Sequence, residues 1–249
     1  MVGFNCTYNK QFKSDSARLA FLVWFEFSVY GGQIKYSGSV LHTLIGRYTE
    51  GNREEKMRYI EYLKAAEKRA KKLEISPQLP IDTLVPARDI KRYGELANNE
   101  LLNSLLQRFG PFGWTDGCIP LGATAFTFFQ KKGIPCELVF GEVVINGCNE
   151  YDTTVDGLIG EWEKGYSDDV MNIHVWLNVG KDLVVDPAIA SRLNEHYDNN
   201  FPAHQVIVGK PEQLEKKKRL KYIPMLTGAK FLERTCEIPL NYENGTISV

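Results

Sequence analysis

The seven residues from Ile173 to Val179 constrain this chain more than any other stretch. Ile173, Val175, Leu177 and Val179 alternate with His174, Trp176 and Asn178. A period of two belongs to a β-strand, whose successive side chains point to opposite faces. The aliphatic face is expected to meet a core, and the face bearing His174 a cleft. A second strand, Leu183 to Val185, follows Gly180-Lys181 and ends in Asp186-Pro187. Directly opposite residues of an antiparallel pair share a face. His174 and Asp186 therefore share one only if the connecting loop holds an odd number of residues. A three-residue loop containing Gly180 meets that condition, and a two-residue Gly180-Lys181 loop does not.

The rest of the chain arranges itself around this hairpin. The first ninety or so residues read as helical. Ser14-Asp15-Ser16 offers caps for a helix over Ala17–Tyr30, which Gly31-Gly32 stops. Val40–Tyr48 suits a second short helix. Met57, Ile60, Leu63, Ala66 and Ala70 recur at helical spacing within Arg53–Leu73. Pro77, Pro80 and Pro86 mark an extended connection, and Tyr93–Arg108 is expected to be helical. A further helix is expected from Cys118 to Lys132, with Leu121, Ala125, Phe128 and Phe129 on its apolar face and Gly133 at its end. Pro135–Ile145 and Gln205–Val208 read as strands. The expected organisation is a helical N-terminal segment over residues 1–90, packed on a core over residues 91–249.

Two segments stand apart. Asn146–Asp169 is a polar, acidic insertion, and loops of that length are usually functional or mobile. Leu158, Ile159 and Trp162 within it suit a short amphipathic helix able to cap a cleft, with carboxylates that favour substrates carrying Lys or Arg. Removal of Thr153–Lys164 is expected to leave the core folded. Lys216-Lys217-Lys218-Arg219 is read as the exposed face of a helix, not as a nucleic-acid signal.

Composition narrows the function classes. With 43% hydrophobic and 24% charged residues, the 249-residue chain can bury a sizeable core. A net charge of -1 supplies no attraction for nucleic acid or anionic membranes. Five scattered cysteines without a CxxC pair read as reduced thiols, not as a zinc site. Four histidines with no HExxH give no metal centre, and no cofactor is expected. Leu19–Tyr30, the greasiest run, is too short to span a bilayer and carries Glu26. It lacks a small-residue cleavage site, so a cytoplasmic protein is expected.

Cys118 adds the chemistry. Thr115 or Asp116 is placed to cap the helix it opens, and Pro120 fits the first turn. A thiol at a helix N-terminus meets a dipole and backbone N–H groups that favour a thiolate and can hold an oxyanion. Gly117 leaves room for a substrate carbonyl. Most free cysteines are small buried hydrophobes, which is the reading for Cys136. Cys118 differs because His174 can take its proton and Asp186 can fix the imidazole tautomer.

These residues resemble the transglutaminase-like superfamily. The likeness runs from Trp114 to Ala188, through Gly117-Cys118, Gly133-Ile134-Pro135, a strand ending at Gly141, His174-Val175-Trp176 and Asp186-Pro187. It implies an α+β, papain-like fold, in which a Cys-bearing helix packs on an antiparallel sheet, and a Cys-His-Asp triad acting on amide or acyl groups. Three departures accompany it. Asn146–Asp169 is longer than the family's usual connection, the residue before the cysteine is Gly117, and the Arg-Gly-Gly of the arylamine N-acetyltransferases is missing. Trp114 and Gln107 are candidates for a side-chain oxyanion donor, with Gly117 and Trp176 as substrate-contacting candidates.

The function expected is a thiol protease, amidase or deamidase acting on a protein or peptide substrate. The same triad with an amine acceptor is an acyltransferase. An idle triad on this fold is a protein-binding module.

Overall fold

The computed structural model describes residues 57–75, 83–167, 169–238 and 240. All lie in the unit Met57–Val249. The helices expected over Ala17–Tyr30 and Val40–Tyr48, together with Pro77 and Pro80, fall outside the described residues.

The chain is α+β. Helix α1 (Tyr59–Lys72) buries Tyr59, Leu63, Ala66 and Ala70, close to the expected stripe. The Glu61 carboxylate takes the Arg58 N–H at 2.7 Å at its start, and Arg69, Lys71 and Lys72 face the negative end of its dipole. Helix α2 (Ala87–Leu96) begins right after Pro86, earlier than the expected Tyr93. It continues through a π turn (Ala97–Leu101) into α3 (Leu102–Phe109). Within that turn Asn98 pairs with both backbone groups of Val206, at 2.9 and 3.0 Å. Helix α4 (Cys118–Lys131) follows, then strands β1 (Cys136–Ile145) and β2 (Cys148–Asn149), helix α5 (Val155–Lys164), and strands β3 (His174–Val179) and β4 (Leu183–Asp186). Helix α6 (Ile189–His196), strand β5 (Ile207–Gly209), helix α7 (Pro211–Lys218), strand β6 (Leu220–Thr227) and helix α8 (Lys230–Cys236) complete the described part.

The six strands form one antiparallel sheet in the order β2-β1-β3-β4-β5, with β6 also paired to β1. Val179 faces Leu183, so the β3–β4 loop consists of Gly180, Lys181 and Asp182. The alternation of β3 then puts His174, Trp176 and Asn178 on one face with Val184 and Asp186.

Both faces are packed. On one, Val175, Leu177 and Val179 join Leu138, Phe140, Leu183 and Val185 beneath α4. On the other, Trp176, Val139, Val143, Val184 and Tyr222 meet Tyr59 and Leu63 of α1, Ile189 and Leu193 of α6, and Leu214 of α7. The second face is therefore core, not the cleft expected from the alternation. Two of its polar residues, Trp176 and Asn178, are satisfied by α1. The Tyr59 hydroxyl donates to Asn178 at 3.0 Å and accepts from the Trp176 indole at 3.1 Å.

Gly141 is the tightest point of the sheet. It lies opposite His174 in β3 and at the register shift between β1 and β6. A Cβ there would fall 2.1 Å from the Ile223 carbonyl oxygen and 3.1 Å from the Trp176 ring. Replacing Gly141 with Ala should therefore cost about 3 kcal/mol of stability through overpacking, read as a lower urea midpoint. An unchanged midpoint would mean that β6 yields freely.

Candidate active site

Cys118 is the first residue of α4, with Gly117 as N-cap. Close packing sets the helix on the sheet, since a Cβ at Gly122 would come 2.9 Å from Val175 Cγ1. The expected capping by Thr115 or Asp116 does not occur. Thr115 donates its hydroxyl hydrogen to Glu195, and Asp116 pairs with Arg192 at 3.3 Å. No N-cap side chain takes the first-turn N–H groups of α4, which have no intrahelical acceptor. The thiol is 6% exposed and donates to the Ile173 carbonyl at 3.3 Å, which places it beside the next residue, His174.

His174 is fully buried, and its Nε2 lies 2.7 Å from Asp186 Oδ2. An ionised carboxylate only accepts, so Nε2 carries a hydrogen, which leaves Nδ1 as the nitrogen that exchanges a proton with Cys118. Nδ1 has no hydrogen-bond partner. It is the nitrogen left for Cys118, whose thiol hydrogen is turned to Ile173. Burial alone would make the imidazole less basic. The Asp186 carboxylate outweighs burial, Cys118 adds to it, and the ring is pushed up to about 10.

Asp186 is held from four sides. Oδ2 also accepts the Tyr222 hydroxyl at 2.9 Å, while Oδ1 accepts the backbone N–H groups of Ala188 and Ile189 at 2.9 and 3.0 Å. The carboxylate thus caps α6 while orienting His174. Tyr222 escapes a sequence reading because Pro224 interrupts the strand pattern. The structure tolerates that proline on β6, which pairs only with β1.

Tyr151, Glu142 and Arg192 go unnoticed in the sequence. Tyr151 stacks on His174 with ring centroids 4.6 Å apart and an interplanar angle of 16°. Trp176 lies 5.9 Å from the imidazole, at 25°. Glu142, buried in β1, explains why Tyr151 is there. Its Oε1 accepts the N–H groups of Val143, Glu150 and Tyr151, and its Oε2 that of Thr153, all at 2.9 Å. Burial raises its pKa even though those bonds oppose the shift. Arg192 adds a second clamp. It pairs with Glu150 at 2.5 Å, and its guanidinium sits 4.9 Å from the Tyr151 ring centroid. A signal existed in Glu142, which with Glu137 is one of two acids inside an otherwise apolar strand and needs buried donors.

The remaining expected residues lie elsewhere. The Trp114 indole N–H is donated to the Gly110 carbonyl at 2.8 Å, and its ring packs edge-on to His204. Gln107 is exposed on α3. Trp176 is fully buried, with its N–H on Tyr59. Trp114 and Trp176 thus have their only side-chain donors engaged, by Gly110 and Tyr59. Cys118, Cys136 and Cys236 are free thiols. No group of three or more His, Cys, Asp or Glu among the described residues is placed to hold a metal ion. No helix among them is long and apolar enough to cross a membrane.

The acidic insertion does contain a helix, α5, but it is no removable loop. Leu158 is buried, Trp162 stacks on Phe231, and Arg234 lies over Trp162. Cutting out Thr153–Lys164 would bare that apolar surface and orphan part of Glu142, so the expectation of an intact core is withdrawn. Between α5 and residues 170–173 lies a pocket of about 190 Å³. Asp152, Glu161 and Ile173 are among its lining residues, and Ile173 connects it to Cys118.

The chain matches no family model, no curated protein and no solved structure.

The His174 shift carries a sign. Folding raises its pKa from the ordinary 6.5 to about 10, so its stabilising contribution is complete below about pH 6.5 and lost as pH rises through 10. The stability advantage of the native chain over His174→Gln should shrink between pH 6 and pH 10 in urea unfolding. An advantage that grows with pH would contradict this arrangement.

Proposed function

We propose that this chain is a cysteine hydrolase with a papain-like, transglutaminase-like core, acting on amide or peptide bonds. One observation carries the reading: a buried His174–Asp186 pair at 2.7 Å, with the second imidazole nitrogen unbonded next to a cysteine that opens a helix. The chemistry follows from the parts. The raised basicity of His174 holds the thiol proton on Nδ1, and the Cys118 thiolate attacks the acyl carbon. The carbonyl oxygen becomes an oxyanion near the first-turn N–H groups of α4. His174 returns its proton to the leaving nitrogen as the C–N bond breaks. A water, deprotonated by His174, then releases the acid from the thioester. An amine in place of that water gives acyl transfer.

The pocket beside Ile173 supports a preference in the substrate. The carboxylate of Glu161 suits a Lys or Arg side chain near the scissile bond. Glu161→Gln should raise KM several-fold for peptides with Lys or Arg there and leave neutral peptides unaffected. Equal changes for both sets would remove the pocket from substrate selection.

A second reading is favoured by the burial of the site. Cys118 is 6% exposed and His174 is fully covered, as suits an idle triad in a protein-binding module. Reactivity separates the two. In the enzyme reading, Cys118 is alkylated by iodoacetamide well below pH 8.5, the ordinary thiol pKa of about 8.5. Cys118→Ala and His174→Ala each abolish hydrolysis of an activated ester or amide. Asp186→Asn lowers kcat by about 10⁴, because an amide can present its N–H to the ring and select the wrong tautomer. A fully active Cys118→Ala protein would sink the hydrolase reading.

A further inference from the structure

The oxyanion is the least provided-for species in the scheme above. The Trp114 and Trp176 N–H groups are committed elsewhere, to Gly110 and to Tyr59. Against that background the Tyr151 hydroxyl stands out. It is buried and has no hydrogen-bond partner. Leaving a hydroxyl dry and unpaired is costly, and a phenylalanine would fill the same space without that cost. Packing therefore explains the ring and leaves the oxygen unexplained.

The position of that ring is fixed. Its backbone N–H is held by Glu142 at 2.9 Å, its outer face is covered by the Arg192 guanidinium, and its inner face is stacked on His174 at 4.6 Å. Next to it lies a second orphan, Nδ1 of His174, the nitrogen that receives the thiol proton. Two unpaired buried polar groups thus sit on stacked rings, and Cys118 lies close enough for its charge to act on both.

We propose that the Tyr151 hydroxyl is the side-chain donor to the carbonyl oxygen when Cys118 attacks. The inference rests on the cysteine-hydrolase reading. As the sulfur–carbon bond forms, the carbonyl π pair moves onto oxygen, and this anion accepts a hydrogen bond from Tyr151. The phenol keeps its proton. The pair returns to the carbonyl as the C–N bond breaks, with His174 protonating the nitrogen. Burial holds the phenol in its protonated form by pushing its pKa well above 10, and the nearby Cys118 charge adds to the shift.

The test compares two reactions of Cys118 in the full chain. Acylation by p-nitrophenyl acetate passes through an oxyanion, whereas alkylation by iodoacetamide displaces at a saturated carbon and forms none. Both rates are read by mass spectrometry in the native protein, Tyr151→Phe and Cys118→Ala. Tyr151→Phe should slow acylation about 100-fold, the usual loss for one oxyanion donor, and leave alkylation within about two-fold. Its thermal midpoint should not fall, since the ring and its stacking remain. Equal loss in both reactions would overturn the proposal by showing that Tyr151 acts only through the position of His174. Unchanged acylation in Tyr151→Phe, with the native protein acylated far faster than free cysteine, would overturn it while leaving the hydrolase intact. Native Cys118 acylated no faster than free cysteine would overturn the hydrolase reading and this one together.

Discussion

The Asp186 carboxylate is the point on which the site depends. Its two oxygens take four hydrogen bonds, from His174 on β3, Tyr222 on β6 and the first N–H groups of α6. One fully buried charge thereby joins two strands that are not neighbours in the sheet to the start of a helix. A lone buried carboxylate would cost several kcal/mol. Four donors, one of them an imidazole able to take up positive charge, offset that cost. The same arrangement makes His174 strongly basic.

Glu142 plays the corresponding part for the segment that covers the site. Its carboxylate gathers backbone N–H groups from Glu150, Tyr151 and Thr153, and so turns a polar stretch into a fixed wall. Arg192 reaches from α6 to Glu150 and to Asp116, tying the wall to the loop before Cys118. These ties explain why the site is closed. The segment is held by charge-assisted bonds from Glu142 and Arg192.

Legibility followed the range of the interactions. Helix α4 could be read because its apolar spacing and the glycine after it are local. The hairpin of β3 and β4 was readable up to the parity of its loop, and the three residues from Gly180 to Asp182 settle that parity. Strand β6 was not readable, since Pro224 breaks the local pattern and only its place beside β1 alone permits it. The burial of the His174 face was missed because alternation says which residues share a face, not what covers that face. Here α1 covers it, with its Tyr59 hydroxyl set between Trp176 and Asn178.

What the sequence determined by itself was therefore the set of local elements and the order in which Cys118, His174 and Asp186 occur. Periodicity and turn chemistry act over a few residues and leave a mark there. Tertiary structure alone decided that Thr115 and Asp116 turn away from the α4 terminus, that Trp114 commits its N–H to Gly110, and that Tyr151 stacks on the imidazole. Each of these depends on a partner in another element, and a hydrogen bond or ring contact between distant segments leaves no periodic trace in either one.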